Sequence, residues 1–134
     1  MTTTTHTGHG VRSVLTLTEQ QIAATPWTAV VACEGVFAKE LWRHGDLVCA
    51  LLRYEPGADT PGVPHAHADQ HLWVVEGEAT VAGRRLPAGS YIHVPPGTPH
   101  PIHATGPLGC VLLQSHVHAL ADTPNPVTAG TCQQ

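Results

Sequence analysis

Charged side chains are scarce in this chain, at 12% of its 134 residues against 42% apolar. That balance excludes a charge-rich disordered polymer over most of the length. The 6 Lys and Arg residues are scattered, with Arg84-Arg85 as the one adjacent pair, so there is no basic stripe for nucleic acid. Long apolar runs are also lacking. The longest, Leu47 to Leu52, is far too short to span a bilayer. Met1 to Gly10 is rich in Thr, His and Gly and has no apolar h-region, which argues against a signal peptide. Cys33, Cys49, Cys110 and Cys132 are far apart, and no C-x-x-C spacing marks a zinc ribbon or a thioredoxin-like site. The expected setting is a reducing cytosol with free thiols, Cys49 and Cys110 being core residues of apolar runs.

What the chain has in quantity is 11 His, 13 Gly and 12 Pro. Gly and Pro at that level cut a chain into short segments and leave few strong helices. The length suits one domain. Residues 1–25 read as a flexible N-terminal segment, with a short strand over Val14 to Leu17. A capping box at Thr18-Glu19-Gln20-Gln21 starts one or two helical turns that reach Ala24 and stop before Pro26. Trp27 to Val31 is strand-like. Further strands are predicted over Val36 to Arg43, Leu47 to Tyr54, Gln70 to Val75, Ser90 to Val94 and Cys110 to Ser115. Ala79 to Val81 and Arg84 to Leu86 form a hairpin around Ala82-Gly83 with a solvated tip. Residues 119–134 are rich in Pro, Thr and Ala and read as a loose tail. Many short strands with frequent turns imply a sandwich or barrel, whose closure removes exposed sheet edges.

Histidine is the commonest metal ligand, and His65-Ala66-His67 is the sharpest local feature. On a strand, side chains at i and i+2 share a face and two imidazoles can converge on one ion. His6, His9 and His44 read as solvent-exposed. His116 and His118 repeat the spacing and read as surface residues. Gly57 precedes the first pair, Gln70 and His71 follow it, and Gly77 closes the block. A second block runs from Gly89 through Pro95 and Gly97 to His100.

These two blocks resemble the paired motifs of the cupin superfamily, in which His-x-His is followed by Glu and a closing Gly, and G-x5-P-x-G-x2-H is followed by Asn. The second motif matches through His100 without a gap, and the resemblance covers roughly Val36 to Ser115. A further likeness is to the cupin domain of ChrR-type anti-sigma factors, through Trp27, Gly35-Val36, Lys39, Arg53-Tyr54-Glu55-Pro56-Gly57 and Gly109-Cys110. Those factors also carry a helical zinc-binding domain, for which the residues before Trp27 are too few. Two departures stand out. Ala104 replaces the Asn, and the Glu is missing. Counting back from Gly77 puts Gln70 in its place, and counting forward from His67 puts His71 there; Asp69 is a third candidate.

The resemblance implies an all-β, double-stranded β-barrel of jelly-roll type over 26–118, with a short helical turn before it. It implies one divalent transition metal ion on His65, His67 and His100 with either Gln70 or His71, the identity among Fe, Zn, Ni, Cu and Mn being open. Such a protein is expected to act on a small organic metabolite, as an oxygenase or in Lewis-acid isomerase, cyclase or lyase chemistry. Loss of the carboxylate leaves a neutral shell and favours the Lewis-acid branch. A non-catalytic metal- or ligand-binding sensor module is the alternative. Trp73, Tyr91, Leu72 and Val74 are candidate pocket residues, and His93 and His103 candidate acid–base or outward residues. A cytoplasmic homodimer, without nucleic acid or membrane, completes the expectation.

Overall fold

The computed structural model describes residues 13–118. The expected tail over 119–134, residues 1–12 of the N-terminal segment, and with them His6, His9 and Cys132, lie outside the described residues. The elements are α1 (Glu19–Ala24), β1 (Thr28–Ala29), β2 (Val36–His44), β3 (Leu47–Tyr54), β4 (Asp59–Thr60), β5 (Ala68–Val81), β6 (Arg84–Pro87), β7 (Tyr91–Val94), β8 (Ile102–Ala104) and β9 (Cys110–His118). Hydrogen-bonded neighbours follow the order β1-β2-β3-β9-β5-β8-β4, with β6 and β7 also paired to β5. Every pairing is antiparallel. The result is a curled, double-stranded β-barrel of jelly-roll type, as the motif resemblance implies. No helix among the described residues is long and apolar enough to cross a membrane.

β5 makes the architecture. Its first part pairs with β7 and β9, and its second part pairs with β6 and β8. The buried residues of the first part are Gln70, Leu72 and Val74; those of the second are Ala79 and Val81. The change from even to odd numbers follows from a register irregularity between Val74 and Glu76 against β9. A bulge of this kind adds one residue, bends the strand and lets it keep facing one interior while passing between sheets. Gly77 follows at φ +77°, and a Cβ there would lie 2.1 Å from the Gly109 carbonyl oxygen, so the corner admits no side chain.

The interior is filled from alternate positions: Val36, Ala50, Tyr54, Leu72, Leu112 and Cys110 among others are buried. Burial pushes the Tyr54 hydroxyl up to about 12, although that hydroxyl and Thr60 Oγ1 share a hydrogen bond of 3.1 Å. The buried Cys110 thiol is pushed up to about 11 and is a packing residue. Cys33, Cys49 and Cys110 are free thiols, Cys49 being half-buried rather than deep in the core.

The capping box at Thr18 forms as the sequence predicts, with Gln21 returning its side chain to the Thr18 backbone. Lys39 Nζ donates to the Ile22 carbonyl at 2.8 Å and lies 4.6 Å from the centre of the Trp27 ring. A buried ammonium is tolerable because a carbonyl and an aromatic face receive it. Arg53 lies over the same ring at 4.9 Å. Val14 to Leu17 forms no strand: Val14 is exposed and that segment has no ladder partner. The segments expected as a strand ending at Val75 and a separate hairpin arm are one strand, because the bulge accommodates Glu76-Gly77 without breaking the ladder. β4 and β8 escape prediction because strands of 2 and 3 residues carry no periodicity. The Ala82-Gly83 turn has φ values of 51° and 85°, as a two-residue hairpin requires.

Leu112 is fully buried and faces both Leu52 and Val74 across the ladders. Leu112→Ala is expected to lower stability by about 2–5 kcal/mol, read from equilibrium urea unfolding; a loss below about 1 kcal/mol would mean that this interior is not close-packed.

Candidate metal centre

Two loops and one strand bring the histidines together. His65 lies in the loop before β5, His100 in the loop after β7, and His116 on β9. The loops are fastened backbone to backbone. The Gly97 N–H donates to the His65 carbonyl at 2.7 Å, and the His100 N–H donates to the Gly62 carbonyl at 3.0 Å. Gly62 has φ +69°, and a Cβ there would meet the His100 carbonyl carbon and oxygen at 2.1 Å. Only glycine lets the loops approach this closely. The contact between Gly62 and His100 is long-range and leaves no local signal in the sequence.

His100 is 5% exposed, and its Nδ1 lies 3.2 Å from the Thr98 carbonyl oxygen. Facing a carbonyl, Nδ1 carries the proton, which leaves Nε2 with a free lone pair. The His65 ring centre is 5.9 Å from that of His100 and 4.8 Å from that of His116. Burial holds both His100 and His116 below the ordinary 6.5, and the charges of neighbouring histidines push the same way.

Gln70 is buried among these groups at 2% exposure. Its Nε2 donates to Gln114 Oε1 at 2.6 Å, and its own Oε1 has no hydrogen-bond partner. His116 Nε2 is likewise buried and without a partner. Gln70 and His116 are directly paired between β5 and β9, so their side chains emerge on the same face. The expectation that His116 is a surface residue is therefore corrected. β9 runs on past Ser115 to His118, and His116 shares the inward parity of Leu112 and Gln114. Flanking Val111 and Leu113 hid that parity in the sequence.

His71 lies on the other face of β5. Its Nδ1 is hydrogen-bonded to the Tyr91 hydroxyl, and its ring stacks near Trp73 and His93. Asp69 shares that face, 2.7 Å from His93 Nε2. The two-residue alternation of a strand thus brings Gln70 to the interior and turns His71 and Asp69 away from it. Trp73 and Tyr91, 39% and 48% exposed, belong to the outer face and do not line the interior with Leu72 and Val74. His93 and His103 are outward, His103 beside Asp59 at 3.5 Å. His65-Ala66-His67 lies in the loop ahead of β5 and not on a strand, because pairing begins only at Ala68. His65 and His67 are both exposed, and strand alternation does not hold them side by side.

Among the described residues, no group of three or more His, Cys, Asp or Glu side chains is arranged to hold a metal ion in the positions shown. The donor chemistry nevertheless fits one. Buried polar atoms ordinarily have partners, and two unpartnered ligand atoms on directly paired residues, Gln70 Oε1 and His116 Nε2, mark a place for a further group. The His65 ring lies against those of His116 and His100.

The ChrR cupin-like domain family matches residues 17–120. KdgF from a Halomonas species is similar at 28% identity, with a TM-score of 0.60 over 70% of this chain and 87% of that chain. An RmlC-like cupin from Shewanella frigidimarina is similar at 28% identity, with a TM-score of 0.57 over 75% of this chain and 89% of that chain. The Rhodobacter sphaeroides complex of SigE with the anti-sigma ChrR contains a chain with a TM-score of 0.61 at 21% identity, over 72% of this chain and 50% of that chain. At that identity the likeness concerns the fold. No curated protein matches the sequence.

Gly62→Ala is expected to cost more than about 2 kcal/mol of stability, since it combines a left-handed backbone with a backbone clash. Urea unfolding measures it, and a neutral substitution would show that the loops are not tied as described. The depressed His100 and His116 values also set a pH dependence. Between the unfolded value of 6.5 and the lower folded values, the unfolded chain binds more protons. Stability of the metal-free protein should therefore be level above about pH 7 and decline as the pH falls below about 6.5. The decline should shrink in a His100→Gln, His116→Gln double variant; an unchanged profile would place the titrating groups elsewhere.

Proposed function

The chain belongs to the ChrR cupin-like domain family, and from that membership we propose that it is a metal-dependent enzyme acting on a small organic metabolite. His65, His100 and the Gln70 amide oxygen, with His67 at the rim, hold one divalent transition metal ion. The observation that carries this reading is the Gln70 Oε1 atom. It is buried without a partner while its amide nitrogen is fixed to Gln114 at 2.6 Å. An amide anchored at its nitrogen end presents its carbonyl oxygen as a ligand, in the place where the motif has Glu.

A divalent ion bound to neutral donors supplies Lewis acidity, which polarises a substrate carbonyl, carboxylate or enolate oxygen. The residues do the rest. Thr98 fixes the His100 tautomer, Gln114 fixes Gln70, and Leu72 and Val74 form an apolar floor that excludes water. The 2-His-1-carboxylate face that suits Fe(II) oxygen chemistry lacks its carboxylate here, so isomerisation, cyclisation or lyase chemistry is favoured over oxygenation. A second reading rests on the family itself: a barrel that binds a metal or ligand and signals through a protein partner without turnover.

The test is the metal content of the isolated protein beside His65→Ala and His100→Ala. About one equivalent of Zn or Ni is expected, lost in both variants. Fe or Mn in that position would favour the oxygenase branch instead. A protein still metal-free after reconstitution with Zn, Ni, Co and Fe would sink the proposal and leave the ligand-binding module standing.

A further inference from the structure

Gln70 leaves the ion one strong ligand short of the usual set, and amide oxygen is a weaker partner than imidazole for the metals that favour nitrogen. β9 supplies what is missing. His116 is paired to Gln70 in the ladder, on the same face. Its Nε2 is buried and free of any hydrogen bond, so it has no structural partner to account for its orientation. Two imidazoles sharing one ion through nitrogen, at bond lengths of about 2.05 Å, have ring centres roughly 4.5–5.2 Å apart. His116 and His65 have theirs 4.8 Å apart, with the ring planes inclined by 51°. His65 and His100, at 5.9 Å, need to close only slightly to meet that spacing.

We infer that His116 is a metal ligand of this chain, supplied by the last strand beside Gln70. The inference rests on the metal site proposed above and assigns it a donor that neither motif contains. Its consequence is a shell of imidazoles and one amide with no anionic ligand. The ion keeps its full charge, and the site favours Zn, Ni, Co and Cu over the harder Mn.

Titration of the full-length chain with Co(II), followed by visible absorption and by competition with a chelator, tests this without any substrate. The variants are His116→Ala and His116→Gln, with the exposed His44→Ala as control. The wild type and His44→Ala should bind about one equivalent with the same spectrum. Both His116 variants should bind at least about 10-fold more weakly, with a shifted and weakened visible band. Added imidazole should restore the wild-type band in His116→Ala. His116→Gln, which preserves bulk and polarity, carries the test if His116→Ala does not fold. Wild-type affinity and spectrum in a folded His116 variant would overturn the inference while leaving the site on His65 and His100 intact. Absence of Co(II) binding by the wild type would instead overturn the metal reading as a whole.

Discussion

β5 belongs to both sheets, and this sharing constrains everything around it. It pairs with four other strands, and the bulge between Val74 and Glu76 decides which of its side chains look inward on either side of the corner. A shift of one residue would exchange Gln70, Leu72 and Val74 for His71, Trp73 and Val75. The interior would then receive an imidazole, an indole and a valine where it now packs against Leu112. The corner is fixed by Gly77, which has no room for a side chain against the Gly109 carbonyl. Register, corner and site chemistry are therefore one decision.

The loops that carry His65 and His100 have no regular structure of their own, yet they are not independent. Two backbone hydrogen bonds and the close approach of Gly62 make them a single unit. Catalytic and binding groups on loops need such support if they are to be held in a fixed geometry. The strands contribute Gln70 and His116 from the ladder, so a ligand at this point would join the loop and strand halves of the site. Burial at His100 and His116 disfavours their protonated forms, which suits a cation and disfavours competing protons.

Much of the fold was legible. Leu47–Tyr54 coincides with its predicted bounds, because an apolar run between turn residues has few alternatives. The capping box and the Ala82-Gly83 hairpin are local devices and formed locally. β4 and β8 were not legible, since such short strands exist only because partners are already in place. The outer-face cluster of His71, Trp73, Tyr91 and His93 was likewise invisible, because it joins β5 to β7 across the ladder.

The sequence by itself determined the longer strands, their turns and the spacing of the motif around His100, all of which depend on near neighbours along the chain, while the barrel was implied by the motif resemblance. It could not show which of Gln70 and His71 faces the interior. The residues after them, Leu72-Trp73-Val74-Val75, are apolar at every position, so no alternation reveals which face is buried. Nor could it bring His116, separated from His65 by 51 positions of chain, into the same cluster. Tertiary structure decided both points through one physical fact. The ladder between β5 and β9 sets Gln70 opposite His116, and the pleat then sends both side chains to the same side.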